Sequence, residues 1–167
     1  MRPVTRLLAA AMIAAGCTNS PPVSSGPYVS TSLTRIQHLA LAPGGGEVGE
    51  AIATALAERH NFAVEGADIL AARMAAAGVR HVDGAMLGGL AFLRGSGIEG
   101  VLVVNAGAPE TGLGGTSAHV LRVPDGARVA EARWTPVFRR ITAALVAHMP
   151  ERVSEQLADK LAGDLRR

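Results

Sequence analysis

The sequence predicts an α/β domain, a single mixed sheet with helices packed on it, in the order β-α-β-α-α-β-β-β-α-α. Three observations carry that prediction. Short apolar runs bounded by turn residues, Arg35–Pro43 and Ile98–Val104, have the length of buried strands. Two segments, 47–59 and 151–167, repeat their apolar residues at helical spacing. Thr116–Val123 and Ala127–Trp134 flank Pro124-Asp125-Gly126, in which proline presets a turn and glycine takes the left-handed position, so they form a hairpin. Such an alternation gives either a three-layer α/β sandwich or a two-layer domain.

Each element has its own justification. Arg35–Pro43 ("RIQHLALAP") is apolar on both faces toward its end and is broken by Gly44, Gly45 and Gly46. Glu47–Arg59 places Val48, Ile52, Ala55 and Leu56 on one stripe, with Glu47 and Glu50 early and Arg59 late, as the helix dipole favours. "NFAVEG" (61–66) is a short second strand. Asp68 is the expected cap of a helix over 69–77 that Gly78 closes. Asp83 precedes a glycine-loosened helix, "GAMLGGLAFLRGSG". Ile98–Val104 is the strongest strand in the chain, and "NAGAPETGLGG" after it is a loop. Beyond the hairpin, Thr135-Pro136 opens a helix to His148. A last helix starts at Pro150, with Val153, Leu157, Leu161 and Leu165 in register.

The amino-terminal stretch reads differently. Met1–Arg6 carries two arginines and no acid, Leu7–Ala15 is wholly apolar, and Gly16-Cys17 then leads into Thr18-Asn19-Ser20. A basic start, a short apolar middle and small residues at the end describe an export signal. About nine apolar residues fall well short of the roughly twenty that a membrane-spanning helix needs. Cys17 is the only cysteine, so no internal disulfide is open to it. The sequence Ala14-Ala15-Gly16-Cys17 resembles the lipobox of bacterial lipoproteins, with Ala14 where leucine is usual. That resemblance implies cleavage before Cys17, acylation of its thiol and a lipid-bound amino terminus, with palmitate-like chains in the bilayer. Thr18, standing where the enterobacterial sorting rule would have aspartate for inner-membrane retention, implies the outer membrane, facing the periplasm.

The expected organisation is therefore a signal peptide over 1–16, a lipidated Cys17 with a flexible tether over 17–34, and a periplasmic domain over 35–167. The tether "TNSPPVSSGPYVSTS" is rich in Pro, Ser and Gly and spans roughly 20 Å as a coil and up to ~50 Å stretched. Without the leader, fourteen basic residues balance fourteen acidic ones, since Arg2 and Arg6 supply the formal charge of +2. No basic face for nucleic acid is indicated. Lys160 is the only lysine, and the aromatics are Tyr28, Trp134, Phe62, Phe92 and Phe138, too few for a sugar or interface platform.

Two patterns point toward an enzyme. Gly44–Gly49 is a formal G-x-G-x-x-G between a strand and a helix, with Glu65 at the end of the next strand, the context of a dinucleotide site. Val103-Val104-Asn105-Ala106-Gly107 resembles the Asn-Ala-Gly element of short-chain dehydrogenases. Those enzymes pair a tyrosine with a lysine four residues on. Here Tyr28 lies in the tether and Lys160 in the last helix. The structural reading of the turn therefore prevails, and no cofactor, catalytic or metal-binding residue is expected. The alternative is a small-ligand or nucleotide-binding domain using the Gly44–Gly49 turn, a degenerate dehydrogenase. Leu113 stands where a phosphate loop from Gly107 would need lysine, Ser117 lacks a nucleophile elbow, and His38, His60, His81, His119 and His148 show no metal-ligand spacing.

The pieces "LALAP", "VGEAIATALAER", "FAVEGADILAARM", "IEGVLVV" and "AHVLRVPDGARVAEARW", before an amphipathic last helix, resemble a group of envelope proteins. These are the curli-secretion lipoprotein (CsgG-like) family, the amino-terminal domain of TolB, and related flagellar and cell-wall-synthase-activating lipoproteins. No pair of long amphipathic membrane hairpins is found. The resemblance thus implies a periplasmic accessory domain, non-enzymatic, acting through an envelope partner or self-association.

Overall fold

The computed structural model describes residues 35–82, 90–106, 115–135 and 149–166. The leader, Cys17 and the tether lie outside them, as do residues 83–89 of the third expected helix and all but Thr135 of the fourth.

Five strands form one mixed sheet in the order β2-β1-β3-β4-β5. Strand β1 (His38–Leu41) pairs in parallel with β2 (Ala63–Glu65) on one side and β3 (Gly100–Ala106) on the other. Strands β4 (Thr116–Arg122) and β5 (Arg128–Trp134) continue antiparallel from β3. Helix α1 (Gly46–His60) connects β1 to β2, α2 (Ala67–Ala76) follows β2, a 3-10 turn spans Ala91–Leu93, and α3 (Met149–Leu165) follows β5. The α/β class and the mixed sheet are as the sequence predicts.

Two apolar clusters, one on each face, decide the layering. Leu39, Leu41, Leu102, Val104, Ala118, Val120, Ala130 and Ala132 pack against Ile52 and Leu56 of α1 and against Val153, Leu157, Leu161 and Leu165 of α3. On the other face Ala40, Ala42, Val101, Leu121 and Val123 meet Leu70 and Met74 of α2 and Leu90 and Leu93 of the 3-10 segment. The domain is thus a three-layer sandwich. Apolar residues on both faces of the parallel strands require that cover, because a bare apolar face stays in water. Burying Leu157, fully enclosed, contributes on the order of 2 kcal/mol.

Several boundaries differ from expectation, each for a local reason. β1 covers only His38–Leu41; upstream, the Glu99 carboxylate takes the amides of Gln37 (2.6 Å) and His38 (3.1 Å) that a longer ladder would have used. Helix α1 begins at Gly46 and ends on Asn61 in the left-handed conformation (φ 58°), whose amide and that of Phe62 return to the carbonyls of Ala57 and Leu56. Asp68 does not cap α2. Gly66 holds the cap position in extended geometry, without a side-chain bond, and Asp68 lies in the first turn, where its charge still suits the dipole. The expected helix through Gly97 is not continuous: Gly95 and Gly97 take φ of 80° and 84°, values incompatible with a right-handed helix, and end it after the 3-10 turn.

The hairpin forms as expected, with Gly126 at φ 70° and Arg122 and Ala127 closing it. A bulge sits where Val120 pairs with Ala130 but Leu121 with Arg128. Val129 is the extra residue, and the local bend lets it and Ala130 both reach the core. Gly100 is needed in the sheet centre: a Cβ there would meet Leu39 Cδ2 at 2.9 Å and Val120 Cγ1 at 3.0 Å. Replacing Gly100 with alanine should cost about 1–3 kcal/mol by overpacking, and Leu157→Ala about 2–5 kcal/mol by leaving a cavity, both read from urea unfolding midpoints.

Candidate functional site

The glycine turn sits where open α/β sheets place ligands, beyond the carboxyl end of β1 and where the connections leave for opposite faces. Gly44 and Gly46 adopt φ of 103° and 55° and turn the chain into α1. Gly45 and Gly49 serve packing: a Cβ on Gly45 would lie 3.1 Å from the Gly49 Cα and 3.2 Å from the Val104 Cβ, and one on Gly49 would lie 3.5 Å from Leu41 Cδ1. Between this turn and the start of α2 lies a cleft of about 330 Å³, lined by Leu41–Gly46, Glu50, Ala67, Asp68 and Ala71.

Its electrostatics do not suit a phosphate. The two ionisable groups on its walls are the carboxylates of Glu50 and Asp68, with Glu47 also in the first turn of α1. They oppose the positive ends of α1 and α2 that would otherwise draw an anion. Glu65, the residue placed to accept a ribose hydroxyl, is engaged. Arg73 Nη2 lies 3.2 Å from one of its carboxylate oxygens and 3.3 Å from the other, and His38 Nε2 is 3.5 Å from it. The pattern is met in sequence and in strand–turn–helix context, with carboxylates and no basic group lining the cleft beside it. Asn105 and Ala106 end β3; Gly107 lies outside the described residues.

The other residues singled out from sequence are dispersed. His60 bonds Asp159 of α3 at 2.8 Å, and Arg59 reaches Asp159 (3.4 Å) and Glu155 (3.3 Å), so this group ties α1 to α3. Lys160 pairs with buried Asp164 at 2.9 Å. His81 is exposed in a connecting segment; Asp83, His148, Cys17 and Tyr28 lie outside the described residues. Among the described residues no group of three His, Cys, Asp or Glu side chains could hold a metal ion.

Two features escaped the sequence reading. On the sheet face opposite α1, His119 of β4 lies across from Glu131 of β5, which is 7% exposed between Arg128 (3.0 Å) and Arg133 (3.7 Å). Burial first, and the positive Arg128 second, hold the His119 imidazole below its ordinary range, while Glu131 acts in the opposite sense. At the hairpin, Arg122, 8% exposed, pairs through Nε (3.0 Å) and Nη2 with the Asp125 carboxylate. That bond chiefly, with a smaller share from the Ala127 amide, holds the Asp125 carboxyl below the usual carboxylate range despite some opposing desolvation. The Pro-Asp-Gly turn signals the hairpin; only the folded register shows that Arg122 reaches back to it.

No family model matches the chain, and no curated protein matches it. Among solved structures it is similar to the PelC dodecamer from Paraburkholderia phytofirmans, at 17% identity and a TM-score of 0.45, over 87% of this chain and 99% of that one. A point variant of the same PelC gives 16% identity and a TM-score of 0.45, over 87% and 97%. Lipoprotein GNA1162 from Neisseria meningitidis is similar at 13% identity and a TM-score of 0.42, over 75% and 99%.

Two pH dependences follow. His119 has a folded-state pKa below its unfolded one, so the unfolded chain binds its proton first as pH falls. The stability present above about pH 6.5 is then lost on acidification. His119→Gln should flatten the fall of the urea midpoint between pH 7.5 and 5. Asp125 is depressed instead, so its contribution is present above about pH 3.9 and lost as pH drops through its lower folded value. Asp125→Asn should lower the midpoint at pH 7, by under about 1 kcal/mol because the carboxylate is half exposed, and the difference should vanish in strong acid.

Proposed function

We propose that this chain is a lipid-anchored, non-enzymatic module of the bacterial envelope, moored by acylated Cys17 to the periplasmic side of the outer membrane. The observation that carries the reading is Ala14-Ala15-Gly16-Cys17 directly behind a nine-residue apolar run and a basic start. Two or three acyl chains on one residue anchor firmly, at about 0.8 kcal/mol per buried methylene. Residues 18–34 carry no charge and are rich in Ser and Pro, a composition suited to holding a domain clear of charged headgroups.

The folded domain supports a binding role. Several of its charged side chains pair with one another: Arg59 with Glu155 and Asp159, Arg73 with Glu65, Arg122 with Asp125 and Lys160 with Asp164. The glycine-turn cleft is acidic where a nucleotide would bring phosphate. Seven-residue β5 lies at one edge of the described sheet, and a strand edge is a ready template for pairing with another chain. In this reading the domain docks an envelope partner or copies of itself, and its chemistry is recognition.

Cell fractionation with intact-mass analysis of the purified chain tests the proposal. The wild-type protein should sediment with membranes, begin at Cys17 and carry the mass of its acyl chains. Cys17→Ser should shift the domain to the soluble fraction or leave the leader uncut. An unmodified thiol on a soluble wild-type chain overturns the lipid-anchor reading. A rise in melting temperature with the logarithm of nicotinamide or adenine nucleotide concentration would instead establish a ligand at the Gly44–Gly49 turn; a flat response is expected.

A further inference from the structure

The sheet face opposite α1 carries, at its far end, hydrogen-bonding side chains that the described fold does not use. The register sets Asn105 of β3 across from Ser117 of β4, and Ser117 across from Arg133 of β5. Residues directly opposed in an antiparallel ladder share a face, with Cβ atoms about 5 Å apart, so the three side chains form one row across the strands. The next row holds Val103, His119 and Glu131. The described cover of this face packs on Ala40, Val101, Leu121 and Val123. Asn105 and Arg133 stay exposed, and Ser117 is half-buried.

Arg122 and Arg128, the other arginines of these strands, are bonded within the fold, to Asp125 and to Glu131. Arg133 is not bonded in the same way: its Nη2 stands 3.7 Å from Glu131 Oε1, beyond hydrogen-bond distance, and its side chain is 61% exposed. Glu131 is buried and shared between Arg128 and Arg133, so it restrains Arg133 without cancelling its charge. The two guanidiniums and one carboxylate leave a single positive charge. Burial keeps the His119 imidazole neutral near pH 7, so it adds none.

We propose that the row Asn105, Ser117 and Arg133 is a docking site for an aspartate or glutamate side chain on an acidic segment of a partner protein. The Arg133 guanidinium presents two parallel N–H donors to a carboxylate. The Ser117 hydroxyl and the Asn105 amide donate from the neighbouring strands. Charge selects the occupant. One net positive charge matches a carboxylate monoanion, whereas a nucleic-acid backbone asks for clustered Lys and Arg. No aromatic side chain stands in either row to stack on a sugar ring. The site rests on the recognition role proposed above and is independent of whether Cys17 is acylated.

NMR titration of the chain from residue 17, carrying Cys17→Ser, tests the site with a capped triglutamate peptide as the probe. The amides of Asn105, Ser117 and Arg133 and the Arg133 Nε–H should shift saturably, while capped triglutamine leaves them in place. Arg133→Gln should weaken binding about tenfold, because a bond to a charged group is lost. Arg133→Lys should weaken it by a smaller factor, keeping the charge and losing the paired donors. Arg35→Gln, exposed at the opposite end of the sheet, should bind as the parent does. Absence of saturable shifts, or equal losses in Arg133→Gln and Arg35→Gln, overturns the site. Tighter binding of trigalacturonate or inorganic phosphate than of the peptide overturns it in favour of a glycan or a free anion. The same shifts on raising protein concentration alone overturn it in favour of a second copy. Photo-crosslinking in cells, from exposed positions on every face, reads the recognition role separately. Adducts from other faces with none from Ser117 overturn the site and keep that role, and adducts from no face overturn both.

Discussion

Burial of β1 and β3 from both sides is the constraint on which the architecture depends. Leu39, Ala40, Val101 and Leu102 are inaccessible to solvent although successive residues point to opposite faces. Such strands hold together only if each face is roofed, so α1 and α3 must lie on one side and α2 with the 3-10 segment on the other. Close roofing demands small residues at the contacts. Gly45 and Gly49 bring α1 down on Val104 and Leu41, and Gly100 leaves room for Leu39 and Val120. The glycine pattern that resembles a nucleotide fingerprint thus has structural uses, turning the chain at Gly44 and Gly46 and packing helix on sheet at Gly49, with acids lining the cleft beside it.

Polar groups do the complementary work of closing the ends of the elements. Glu99 is the central case. It carries the hydrogen bonding of β1 upstream of His38 and connects it to Val123, so one residue organises the corner where the chain enters and the hairpin returns. Arg122 and Asp125 brace the hairpin beside it. At the far end of α1 the Arg59–His60 group clamps α3 through Asp159, backed by Arg166 donating to the His60 carbonyl at 2.9 Å. These exposed or half-exposed pairs contribute little energy singly. Their effect is to fix which helix lies against which.

Ion pairs between elements, such as Arg59 with Glu155 and Asp159 and Arg73 with Glu65, recur at the periphery of the described domain. The sole cysteine stands at a leader resembling a lipobox, and the chain between it and the sheet is neutral.

The sequence by itself determined the class, the mixed sheet, the hairpin at Pro124-Asp125-Gly126 and the stripe Val153–Leu157–Leu161–Leu165. Each rests on local chemistry: periodicity, turn residues and a short apolar run. Tertiary structure alone decided the rest. The alternative of two or three layers was settled by which face each helix covers, a choice that periodicity does not encode. Asp68 yielded the cap of α2 to Gly66, and Glu99 ended β1 early, because both outcomes depend on groups brought together by the fold. Glu65 could be read as a ribose ligand until Arg73 and His38 were seen to occupy it. A motif specifies the spacing of residues along the chain, whereas its chemistry is set by the charges that distant segments place around it.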